Sequence, residues 1–168
     1  MFDRDFELKG KHAQYTKFLV NSAKIFKRYM DVYMVGAIIG FLHGRQEKID
    51  QSIADDARIF AEVFNKERSR LEFFYQLIML LDESTGLDEQ QRIDRAFRVT
   101  DAAQEAMQAN MELFHSYVFG GIEVLYEKLA EDSTTIDDYI NQVYQVVEAF
   151  KNDIDGKHDE LIQKEFHT

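Results

Sequence analysis

A chain of 168 residues without cysteine, tryptophan or proline excludes disulfides, thiolate metal sites and thiol nucleophiles, and lets long helices run unbroken. Its 31 acidic and 20 basic residues give a net charge of −11, spread unevenly: residues 1–45 hold eight Lys/Arg against four Asp/Glu. The longest near-continuous apolar run, Val32–Leu42, has 11 residues against about 20 for a bilayer span, so no membrane partner is expected. With the charged opening Met1–Glu7, this predicts a cytoplasmic protein.

Residues 1–10 read as an N-terminal arm in which Phe2 and Phe6 alternate with charges and Gly10 interrupts. A first helix is predicted from Lys11 to Val20, with Tyr15, Phe18 and Leu19 facing inward. A glycine-striped helix follows over Met30–His43 and ends at Gly44. Ser52-Ile-Ala-Asp55 has the form of a capping box. From there Ile53, Ala57, Phe60, Phe64, Glu67, Leu71, Phe74, Ile78 and Leu81 recur at alternating steps of four and three. That spacing predicts one helix of about thirty residues, stopped by Gly86. Its second half, Phe73–Leu81, is apolar on every side except Gln76 and is placed at the bundle centre.

Asp88-Glu-Gln-Gln91 caps a short helix carrying Ile93 and Phe97. Asp101-Ala-Ala-Gln104 opens a long helix with Met107, Met111, Phe114, Val118, Ile122 and Leu125 on one face. Gly120-Gly121 is expected to kink or break it. Thr135-Ile-Asp-Asp138 caps a last helix with Ile136, Tyr139 or Ile140, Val143, Val147 and Phe150 inward. Residues 153–168 form a tail, either a docked helix or a segment that pairs with a partner. The whole is all-α, a helical bundle of roughly five to seven helices around two long antiparallel ones, in a single domain.

Little in the chain supports catalysis. Its serines lie in no Gly-x-Ser-x-Gly elbow, and no phosphate-cradling loop or dinucleotide fingerprint is present. Glu112-Leu-Phe-His115 has the Glu-x-x-His form that ferritin-like di-metal proteins use in pairs. The second pair is missing, since Asp155-Gly-Lys-His158 falls in a predicted turn, so neither a metal nor another cofactor is expected. Glu67 stands at a seam position, and Arg68 and Arg70 are too near in sequence to share its face. Either the seam opens to solvent there, or Glu67 makes a polar contact that sets register or binds a partner.

Two surfaces are candidates for binding. Gly36, Gly40 and Gly44 fall on one helical stripe, a groove without side chains where a second backbone can approach, with Tyr33 and Arg45 at its margins. Such a stripe accepts a helix of a protein partner, a second copy in a homo-oligomer, or another helix of this chain. The alternative is nucleic-acid association through the basic segment 9–28, using Lys11, Lys17, Lys24, Lys27 and Arg28 with aromatic residues interleaved. The strongly acidic remainder weighs against that alternative.

The segment Arg28-Tyr-Met-Asp-Val-Tyr-Met-Val-Gly-Ala-Ile-Ile-Gly-Phe-Leu-His-Gly-Arg45 resembles small accessory proteins of bacterial DNA phosphorothioation (Dnd-type) and related phage-defence systems. In these an Asp-Val-Phe/Tyr-Met opening leads into an Ala/Gly-rich helix closing on Gly-Phe and Gly-Arg or Gly-Lys. The resemblance implies an accessory protein of a defence system with no established catalysis, and it finds no counterpart from Ser52 onward. The expected function is therefore that of a non-enzymatic helical interaction or adaptor protein.

Overall fold

The computed structural model describes residues 1–98, 104–130 and 133–166, with side chains described to residue 152. It is an all-α fold and divides into two compact units, Met1–Tyr126 and Glu127–Thr168. The first unit begins with strand β1 (Phe6–Lys9) and helix α1 (Gly10–Lys17), followed by one π-turn over Phe18–Ser22. Helix α2 (Tyr29–Leu42), strand β2 (Asp56–Ile59) and helices α3 (Ala61–Lys66), α4 (Arg68–Leu81) and α5 (Glu89–Phe97) come next. Helix α6 (Gln104–Leu129) runs out of this unit, and α7 (Ile136–Phe166) makes up most of the second.

The predicted thirty-residue helix from Ile53 is not formed. Asp56–Ile59 pairs antiparallel with β1, Phe6 opposite Ile59 and Lys9 opposite Asp56. Along β2 burial alternates, with Ala57 and Ile59 inside, so a period of two takes residues that also fit the helical seam. The helix starts only at Ala61 and breaks at Glu67, and Ser52–Asp55 caps nothing. The N-terminal arm is core as well. Phe2 is buried, with its ring against Phe64, Tyr75 and Phe114.

Local signals act where they are complete. Asp88 and Gln91 cap α5 reciprocally, Gln91 N–H donating to Asp88 at 2.8 Å and Asp88 N–H to Gln91 at 3.0 Å. Thr135 and Asp138 do the same for α7. The cap predicted at Asp101–Gln104 lies outside the described residues, 101–103. Beyond α4, the buried Arg95 guanidinium donates to Asp82 Oδ2 at 3.2 Å, to the Asp82 carbonyl at 2.9 Å and to the Met79 carbonyl at 3.0 Å. It thereby satisfies the last carbonyls of α4 and fastens α5 to it.

Helix α6 passes through Gly120-Gly121 without a break. The tail from residue 153 is a continuation of α7 to Phe166. Two apolar faces expected inside lie outside. On α4, Phe73, Leu77 and Leu81 are exposed, and on α7 so are Ile136, Ile140, Tyr144, Val147 and Phe150. Among the described residues no helix is long and apolar enough to cross a membrane.

Candidate functional site

The glycine stripe is filled by the chain itself. Gly36 and Gly40 are buried against the backbone of α6 at Tyr117, Val118 and Gly121. A methyl group on Gly40 would overlap the Tyr117 carbonyl, and one on Gly121 the Gly36 carbonyl. Docking of a partner at these two positions is thus corrected to close packing of α2 on α6, which is why Gly120-Gly121 interrupts nothing: it admits a neighbouring backbone. Tyr33 is fully buried, so its side chain offers no exposed area at the margin of the stripe. Gly44 is exposed with φ of +60° and ends α2, with Arg45 N–H donating to the Gly40 carbonyl at 2.8 Å.

Arg45 leads to a group of side chains that sequence reasoning passed over. Glu123 on α6, 4% exposed, accepts hydrogen bonds from Arg45 at 2.6 Å, Lys11 Nζ at 2.7 Å and His12 Nε2 at 3.0 Å. The Asp50 N–H lies 3.4 Å from His12 Nδ1, which leaves the imidazole proton on Nε2, facing Glu123. Burial pushes the Glu123 carboxyl up, but the hydrogen bonds from Lys11 and His12 prevail and hold it below its ordinary value. Burial also lowers His12, against the opposing pull of Glu123. A signal was present: Glu123 is the one charge in the apolar run Tyr117–Leu125.

The basic segment is mostly committed to ion pairs. Lys11 is held by Glu123, and Lys17 by Asp55. Arg28 reaches Asp31 at 2.6 Å and Glu67 at 2.8 Å, which raises its pKa further. Lys24 and Lys27 are exposed in the turn between α1 and α2, Lys24 with φ of +54°, and neither forms an ion pair among the described residues. Glu67 makes a polar contact where the chain meets solvent, since its partners Arg28 and Arg70 are both exposed. It bridges Arg28 and, at 3.4 Å, Arg70, which sequence spacing had set aside as too close.

Glu112 and His115 diverge. Glu112 is exposed and accepts from Gln108 at 3.0 Å, whereas His115 turns inward to the Tyr33 hydroxyl at 3.0 Å. The Phe6 ring covers it at 4.5 Å, and burial draws its pKa down to about 4. His115 and Tyr33 line an open cleft of about 640 Å3 with Phe2, Arg4, Phe6 and Met107. No group of three or more His, Asp or Glu able to hold a metal occurs among the described residues. Among the described residues the geometry offers packing, ion pairs and exposed apolar faces, and no assembled nucleophile, base and oxyanion site.

No curated protein and no solved structure matches the chain. The family model of DNA sulphur modification system-associated protein 4 matches residues 10–164. That match extends the likeness seen at residues 28–45 to nearly the whole chain, including residues 52–164, for which the local resemblance had no counterpart. On that span the chain belongs to the DNA sulphur modification system-associated protein 4 family.

Proposed function

We propose that this protein is a non-enzymatic accessory subunit of a DNA sulphur modification system, a cytoplasmic adaptor acting through helix-to-helix contacts. The observation that carries the reading is the apolar stripe Phe73, Leu77 and Leu81 on the outer side of α4. These residues recur every four positions, so they line one helical face, the form that receives an amphipathic helix of another component. The family is named for its association with such a system, which supplies the context. In place of a reaction centre, the buried charges Glu123, Asp82 and Arg95 are engaged in pairs that hold elements together.

Nucleic-acid binding through residues 9–28 is the weaker reading. Lys11, Lys17 and Arg28 are already paired with carboxylates, and two exposed lysines give few phosphate contacts. The test is complementation. Cells carrying the modification system but lacking this gene receive the wild type or Leu77→Glu, and the phosphorothioate content of DNA and phage plating are measured. Restoration by the wild type but not by a folded Leu77→Glu protein supports the adaptor reading. Equal restoration by both, or a deletion without effect, removes it.

A further inference from the structure

We infer that the cleft between residues 1–6 and α6 binds a small aromatic carboxylate, its ring against Phe6, Met107 and Met111 and its carboxylate held by His115 and Arg4. The cleft measures about 640 Å3, within the range of small-molecule sites. All of its lining residues belong to the first unit, so its form is set within that unit.

A missing hydrogen bond carries the inference. Tyr33 is fully buried, and among the described residues its hydroxyl meets only His115 Nε2, at 3.0 Å. If Nε2 donated, the hydroxyl proton would be buried without an acceptor, at the full cost of its desolvation. The hydroxyl therefore donates, and the imidazole, kept neutral by burial, carries its proton on Nδ1. No acceptor for that proton occurs among the described residues, although the ring lines the cleft. Water can serve the donor in an open cleft, and a ligand oxygen that reproduces the bond displaces that water without loss.

The other walls give the class. Phe6, Met107 and Met111 are half-buried there, a ring and two thioethers that favour contact with an aromatic body. Of the charges at the rim, Asp5 accepts from the Ala61 N–H at 2.9 Å, and Asp3 lies 4.0 Å from the N-terminal ammonium. Arg4 is exposed and forms no ion pair among the described residues, and its planar guanidinium matches a carboxylate. The apolar stripe of α4 takes no part in the cleft, so the inference stands apart from the adaptor reading.

The full chain is titrated with benzoate, 2-naphthoate and indole-3-acetate, followed by calorimetry and amide NMR shifts. At least one is expected to bind with a Kd below about 1 mM. Arg4→Met is expected to weaken that binding tenfold or more. So is His115→Gln, which keeps a partner for Tyr33 but lacks the Nδ1 proton. Leu77→Glu should bind as the wild type does, whatever it does in complementation. Absence of binding by all three acids overturns the inference. Equal binding of the matching amide, which has no charge for Arg4, overturns it too, as does equal binding of cyclohexanecarboxylate, which has no aromatic ring. A folded Arg4→Met or His115→Gln that binds as tightly as the wild type would place the ligand elsewhere and end the assignment.

Discussion

Gly40 of α2 lies against Gly121 of α6 with no side chain between the two backbones. The contact tolerates no added carbon at Gly40, because the obstacle is the Tyr117 carbonyl, part of a rigid helix. Gly40→Ala is therefore expected to cost about 2–3 kcal/mol by overpacking. That corresponds to a melting temperature lower by roughly 5–10 °C in a chain of this size. Gly36→Ala, whose new methyl would sit 3.2 Å from the Val118 carbonyl, should cost less. Thermal melts of the two variants test the ranking. Equal effects would mean that the helices separate easily.

Acid should destabilise the fold before its carboxylates titrate. Burial brings His115 from 6.5 down to about 4, so the folded protein holds it neutral while the unfolded chain takes up a proton. Its contribution is complete above pH 6.5 and is lost as the pH falls toward 4, amounting to about 3 kcal/mol. His12 acts in the same direction, and Glu123, held below its ordinary 4.5, adds a further loss beneath that value. Melting temperature followed from pH 7 to 4 should decline, and His115→Gln, which keeps a partner for Tyr33, should flatten the decline. An unaltered slope in that variant would locate the sensitivity elsewhere.

Arg95 is 6% exposed and Asp82 is 1% exposed. Arg95→Met keeps the bulk but removes the only cation paired with the buried Asp82 carboxylate among the described residues, leaving it the Tyr117 and Ser84 hydroxyls, and takes the donors from the Met79 carbonyl, so a loss of about 3 kcal/mol is expected in urea unfolding. Arg95→Lys should recover only part of it, because an ammonium cannot serve the Asp82 carboxylate and two carbonyls in the fork geometry of a guanidinium. Full recovery by lysine would show that charge alone is what counts.

Duplex DNA should bind weakly if at all. At physiological salt no complex is expected in a mobility-shift assay. Lys24→Ala with Lys27→Ala should change nothing measurable, since only these two of the five basic residues stand free of ion pairs among the described residues. Tight binding that falls steeply with added salt and is lost in that double variant would restore the nucleic-acid reading.

Helix ends were legible wherever the signal is local. The span predicted as Met30–His43 is observed as Tyr29–Leu42, because Asp31 accepts from the Arg28 N–H at one end and Gly44 turns the chain at the other. The strands were not legible. Ala57 and Ile59 fit both a helical and an alternating pattern, and the choice is made by Leu8 and Phe6, some fifty positions away. Glycine spacing announced a close approach but not whose backbone would make it; Gly120-Gly121, the complementary pair, was read as a break. Likewise nothing in the composition of α4 or α7 separates an inner apolar face from an outer one. That distinction is made by neighbours, and the sequence does not state them.

The earliest and the latest parts of the first unit are stitched together. Phe2 rests on Phe114, and Lys11 and His12 on Glu123, across intervals of more than a hundred residues. During synthesis the first strand and helix leave the ribosome long before α6 exists to receive them. Their apolar and charged groups must wait, and contacts so distant along the chain slow folding. A fragment ending after α5 would lack the wall of the α2 groove and the acceptor of its buried cations at once. The first unit is thus indivisible, and a nascent chain becomes committed to its fold only when α6 emerges.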